Sequence, residues 1–203
     1  MHRCWTEKMI FMSCFWPHLD NMDLKDYIEN RITELPLMQY EWLTPAELTF
    51  KDEVRQICRQ ECPMYGKSWS CPPAVGTVEE CRIHCLSYDG VFLFTTIAEV
   101  SDIANMEETL KTRFEHEKIT RTIGGYFQES GAEIMLLSSE SCTICESCAY
   151  CERKPCRHPE YMIPCIESQG ILVTDLAEKY DIPFLDSMTT VQWFGLILYR
   201  KNE

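Results

Sequence analysis

Several familiar signatures are missing from this 203-residue chain. No run of eighteen apolar residues occurs, so no segment is expected to cross a membrane as a helix. Basic residues are scarce. Lys and Arg number 19 against 32 Asp and Glu, a net charge of −13. That balance leaves no surplus to neutralise phosphates and argues against nucleic acid and against anionic membrane surfaces as partners. Histidine is also sparse: His2, His18, His84, His116 and His158. The eight glycines form no phosphate-binding loop, and Gly124-Gly125 lacks the spacing of a dinucleotide fingerprint. There is no Gly-x-Ser-x-Gly elbow and no standout pair of carboxylates. Nothing independent of cysteine suggests an active site.

Cysteine is what the chain has in abundance, 13 residues in all. Five fall within fifteen positions: Cys142, Cys145, Cys148, Cys151 and Cys156. Thiols this close cannot all pair as disulfides without strain, because a bridge demands a specific separation and dihedral. They can all face one metal centre. Three cysteines at two-residue gaps, closed by a fourth beside a proline, follow the ligand logic of a 4Fe-4S cluster. Cys142, Cys145 and Cys148 supply the three. The closing ligand is Cys151 or Cys156, and the rigid setting of Pro155 and Pro159 favours Cys156. The alternative is a zinc site, which also uses Cys-x2-Cys pairs but commonly spaces two pairs by a longer knuckle. A disulfide framework is the weaker reading, since the chain is long enough to fold without staples.

A second group lies upstream: Cys58, Cys62, Cys71, Cys81 and Cys85. Cys58 and Cys62 stand one helical turn apart and share a face. Cys71 sits in a Cys-Pro-Pro turn. Cys81 opens a helix, where the macrodipole favours a thiolate. Cys58, Cys62, Cys71 and Cys81 are therefore the candidate ligands of a second centre. Cys85 and Cys165 read as buried small hydrophobes, as free cysteines often are. Tyr65, Trp69 and Tyr150 flank the cysteines and read first as packing residues. Lys67, Arg153, Lys154 and Arg157 read as a solvated rim, and His158 as a loop residue.

The rest of the chain supplies a scaffold. Residues 1–21 read as a loose extension or over-extended start, with Cys4 and Cys14 outside any ligand set, and 22–203 as a single domain. Asp23 caps a helix to about residue 35, and a short helix covers 50–58. Thr77-Val-Glu-Glu80 is a capping box opening a helix to about 88. Ser101 or Asp102 caps a long helix to about 129, and Thr174 a helix to 180. Strands are expected at 38–43, 91–97, 132–137 and 191–199. The fold class is α/β, with α+β as the alternative: one roughly four-stranded sheet, packed helices, and two Cys-rich loops.

The two stretches together resemble a known family. Cys58-x3-Cys62-x2-Tyr65-Gly66-x2-Trp69-x-Cys71-Pro72-Pro73-x2-Gly76-x4-Cys81 is followed by Cys142-x2-Cys145-x2-Cys148 and Pro155-Cys156-Arg157-x-Pro159. Glu167-x2-Gly170-Ile171 and Gly195-Leu196-Ile197-Leu198 complete a pattern similar to the predicted metal-binding proteins labelled domain of unknown function 2284. The likeness runs from about residue 23 to 200. It implies metal binding, iron–sulfur in kind, in a family mainly of anaerobic bacteria and archaea, and brings no reaction class; the protein is separately expected to be cytoplasmic. In similar sequences Cys151 and Cys165 often give way to other residues.

The expectation is one or two 4Fe-4S clusters serving electron transfer, with a redox protein partner, or serving as an accessory to a redox enzyme. The alternatives are an iron–sulfur enzyme with one open iron and a structural zinc protein with an interaction role.

Overall fold

The computed structural model describes residues 23–183 and 187–201. The expected N-terminal extension, with Cys4 and Cys14, lies outside the described residues.

The apolar run after Asp89 forms the centre of the sheet. β2 (Gly90–Glu99) pairs antiparallel with β1 (Gln39–Leu43) on one side and β4 (Thr190–Arg200) on the other. β3 (Glu133–Ser138) pairs antiparallel with β4 and closes the order β1-β2-β4-β3. All four expected strands are present. Their antiparallel pairing makes this the α+β form of the expected fold. Residues 91–94 are apolar without alternation because the sheet is covered on both faces.

On one face Phe92, Phe94 and Ile197 meet Ile28 and Ile32 of α1 (Leu24–Ile32) and Ile123 and Phe127 of α4 (Met106–Glu129). On the other, Val91, Leu93, Leu196 and Leu198 meet Cys85 of α3 (Val78–Leu86) and Leu176 of α5 (Val173–Lys179). Each fully buried Phe or Leu contributes about 1.5–3 kcal/mol by leaving water. Gly195 is required by this packing. It lies opposite Phe94, and a Cβ there would fall 2.3 Å from Phe94 Cζ.

Several boundaries differ from expectation. Asp23 precedes α1, but its side chain makes no capping bond. α4 starts at Met106, capped by Asn105 Oδ1 accepting from Glu108 N, rather than at Ser101 or Asp102. Those two residues serve the turn before it: Asp102 accepts from Ala104 N and the Ser101 hydroxyl bonds Glu108. Thr174 lies inside α5, whose N-cap is Leu172. The capping box at Thr77 and Glu80 is present as the sequence predicts. α2 runs Asp52–Glu61, beyond the expected end at 58. This extension puts Cys58 inside a helix and makes Cys62 its C-cap, with Cys62 N donating to Cys58 O.

Candidate metal centres and an adjoining cavity

Both Cys-rich stretches sit at one end of the sheet, where β3 ends and β4 begins. The first loop, residues 62–76, leaves α2 and returns to α3. Gly66, at φ +70°, turns the chain so that its N–H reaches Pro72 O at 2.8 Å. The second loop leaves β3 at Ser138. It turns through Glu140, a non-glycine residue in the left-handed region at φ +69°. Buried Arg113 of α4 holds its root, donating from Nη1 to Ser141 O (3.3 Å) and from Nη2 to Thr143 Oγ1 (2.9 Å).

The loops are not independent projections. Ser70, fully buried, accepts from Cys142 N at 3.0 Å, shares a hydrogen bond with Ser68 Oγ at 2.9 Å, and lies 3.7 Å from Cys71 Sγ. One hydroxyl thus joins the first loop's Cys71 to the second loop's Cys142. Trp69 Nε1 donates to Lys154 O at 2.9 Å, and its ring meets Tyr150 edge-on at 5.0 Å. Trp69 and Tyr150, expected as packing residues, belong to neither sheet core and clamp the loops together instead. The exposed Cys151 thiol donates to Lys67 O across the same seam.

The side chains of Cys142, Cys145, Cys148 and Cys156 line a single small void of about 20 Å³, with Ser68, Trp69 and His158 in its wall. That space holds about one water, so the thiols close around it. Cys151 is not among its lining residues. The electrostatics of the four differ. Burial pushes the Cys142 thiol up, against the backbone N–H groups of Ile144 and Ile163. Burial also opposes a Cys148 thiolate, but the N–H groups of Tyr150 and Trp69, the Ser68 hydroxyl and Arg157 outweigh it and bring the thiol below its ordinary value. Arg157 also hydrogen-bonds Cys145. Four thiols around one void, with backbone donors and a guanidinium aimed at sulfur, fit the donor set of a thiolate-held cluster.

The upstream cysteines are arranged differently. Cys58, Cys62 and Cys71 line one wall of a much larger cavity, about 500 Å³. Burial raises the Cys71 thiol to about 11 and also raises Cys58, whose next contribution comes from the neighbouring Cys62. Cys81, the expected fourth ligand, is not among the residues lining this cavity. It is buried in α3, where its thiol donates to Val75 O and accepts from Arg55 Nη2, both at 3.3 Å. It is the fourth residue of the helix, with its own N–H already bonded to Thr77 O. The dominant influence on its thiol is burial, which raises it, with Arg55 opposing. Cys85 is fully buried in the sheet core, where burial pushes its thiol to about 12.

Cys165 is where sequence reasoning fell short. It borders the large cavity rather than packing as a small hydrophobe, and its thiol donates to Glu167 Oε2 at 2.7 Å. A parallel bridge to Ser138 fixes Cys165 at the end of β3. Both side chains are surrounded by protein at the base of the cavity, and the void itself keeps them partly accessible. Burial raises the Cys165 thiol well above its ordinary value and raises the Glu167 carboxyl as well. Among the described residues, no three His, Cys, Asp or Glu side chains converge tightly enough for one bare metal ion.

The model of one protein family matches residues 41–199, more than half of the chain and inclusive of every cysteine from Cys58 to Cys165. The chain belongs to the predicted metal-binding protein family DUF2284. No curated protein and no solved structure matches it. The matched DUF2284 region begins inside β1 and ends inside β4, so it spans both loops and the sheet edge that carries them. No helix among the described residues is long and apolar enough to cross a membrane.

Proposed function

We propose that this protein is a cytoplasmic iron–sulfur protein whose second loop holds a 4Fe-4S cluster through Cys142, Cys145, Cys148 and Cys156. The observation that carries the reading is that these four side chains, and not Cys151, line one void. Among the described residues no three such side chains converge on the single point a bare ion needs. A cluster, whose corners stand apart, would spread the four thiols from their water-sized void as it binds. A zinc ion draws its sulfurs to about 2.3 Å from a single point. Bound there, a cluster would supply one-electron chemistry. The chain's own contribution is to orient and tune: Ser68, the Trp69 and Tyr150 N–H groups and Arg157 stabilise negative charge on sulfur. The loop edge carrying exposed Lys67, Arg153, Lys154 and Arg157 is where a redox protein partner would exchange electrons.

Cys58, Cys62 and Cys71 are the candidate ligands of a second centre, with Cys81 offset from them. The large cavity they border favours a second reading, an enzyme in which that centre faces a substrate.

Anaerobic purification with iron, sulfide and zinc analysis tests the proposal. It expects iron and acid-labile sulfide in equal amounts. Zinc without sulfide would sink it. Electron paramagnetic resonance of the reduced protein then counts the centres.

A further inference from the structure

The cavity beside Cys58, Cys62 and Cys71 is larger than thiol ligation needs. At about 500 Å³ it falls within the range of small-molecule sites, roughly 300–1,000 Å³. Its walls come from separate parts of the fold: the first loop, the turn before α4, the start of β4 and the 165–168 segment. Apolar groups such as Ile103, Val173 and Trp193 supply a body-shaped interior.

The charges on its walls are of one sign. Glu140 stands at the exposed rim and Glu167 inside, and no Lys, Arg or His is among the described lining residues. Glu167 forms no salt bridge to a cation of the chain among the described residues; its hydrogen-bond partner is the Cys165 thiol. Its own backbone N–H is a second donor, but no cation matches it, and an enclosed carboxylate is ordinarily matched by one. Nearby Gln192 Nε2 is also buried without a hydrogen-bond partner; it is a donor, so it asks for an acceptor on the ligand's body and contributes nothing to holding a cationic head.

We infer that this cavity is a binding site for a small organic amine, an ammonium group carried on a compact apolar or aromatic body, with its cationic head at Glu167 and its body against Trp193. The inference deepens the enzyme reading above by naming the substrate class of that site. The cysteines that share the cavity, Cys58, Cys62 and Cys71, add no cation to its walls. An anionic ligand of the same shape would meet two carboxylates and no cation.

Three probes of matched shape test it: benzylammonium, benzyl alcohol and benzoate, titrated against as-purified full-length protein and read by ligand-observed NMR. Iron, sulfide and zinc are assayed on the same samples. Benzylammonium is expected to bind at least about tenfold more tightly than benzoate. E167Q is expected to bring the two within about threefold, and V191W, which fills the cavity from β4, to abolish binding of all three probes. Equal binding of benzylammonium and benzoate, or no binding of benzylammonium, overturns the inference. So does an E167Q protein that loses metal but keeps the preference, since Glu167 would then be a metal ligand. Amine binding to protein that lacks sulfide would leave the site standing and refute the iron–sulfur reading alone.

Discussion

Replacing Ser70 by Ala tests whether the two Cys loops form one unit. Ser70 Oγ has three partners: it accepts from Cys142 N, shares a hydrogen bond with Ser68 Oγ, and contacts Cys71 Sγ. A hydroxyl offers one donor and two acceptor sites, so these contacts saturate it. Truncation leaves Cys142 N–H without its acceptor. An orphaned buried donor costs about 1–3 kcal/mol, and a lost neutral hydrogen bond about 1 kcal/mol. Ser68 Oγ retains Ser70 N as a donor, which softens the second loss. The expected cost is about 2–3 kcal/mol. For a domain of this size each kcal/mol lowers Tm by about 2–4 °C, so calorimetry of protein matched for metal content should show a drop of about 4–12 °C. Amide exchange at Cys142 should quicken in parallel. T122A is the control. Its hydroxyl is exposed and bonds only Lys118 O within its own helix, so its effect should stay within about 0.5 kcal/mol. An S70A shift below about 1 °C, with Cys142 exchange unchanged, would refute the shared-hydroxyl argument.

Three further outcomes follow from the structure. C148A should lose the second-loop centre and its iron while C151A retains full metal content, and elemental analysis that ranks them otherwise removes Cys151 from its idle role. His116 is 1% exposed, stacked on Phe94 and bonded through Nδ1 to Thr96 Oγ1, and burial holds its pKa down at about 4 against an ordinary 6.5. The unfolded chain takes the proton below 6.5 while the folded chain stays neutral. Stability is therefore complete above 6.5 and falls by about 3 kcal/mol as pH drops toward 4, a slope that H116Q should flatten in denaturant titrations. G195A forces a methyl into the Phe94 ring and should destabilise the sheet by about 1–3 kcal/mol, with F94L restoring part of the loss in a double-mutant cycle.

The scaffold was largely legible because its signals are local. The apolar run at 91–94 needs no partner information to read as a central strand, and the Thr77–Glu80 box announces its helix in four residues. Cap assignments failed where several polar residues compete. Ser101, Asp102 and Asn105 can each begin a helix, and packing of the turn before α4 selected Asn105. Strand direction was not written in any single strand. Antiparallel order emerges from how β4 returns between β2 and β3, a non-local outcome.

The candidate centres divide on the same principle. Cys142, Cys145, Cys148 and Cys156 lie on one continuous loop, so spacing alone groups them, and the structure gathers their side chains about one void. Cys81 and Cys165 could not be sorted that way. Cys81 is ten residues from Cys71 in sequence, yet α3 turns its thiol toward Arg55 and Val75. Cys165 is almost a hundred residues from Cys71, yet the bridge to Ser138 sets it at the base of the cavity that Cys71 borders. Sequence distance predicts contact only where no regular element intervenes; a helix aims side chains by its own period, and a sheet brings distant segments together. The signal available in the sequence was Ser68-Trp69-Ser70-Cys71, two hydroxyls and an indole crowded beside a thiol. Hydroxyls beside a buried thiol need partners: Ser68 Oγ takes Ser70 N from its own loop, and Ser70 Oγ takes Cys142 N across the seam in the second loop. That requirement, more than cysteine spacing, ties the two loops into one site.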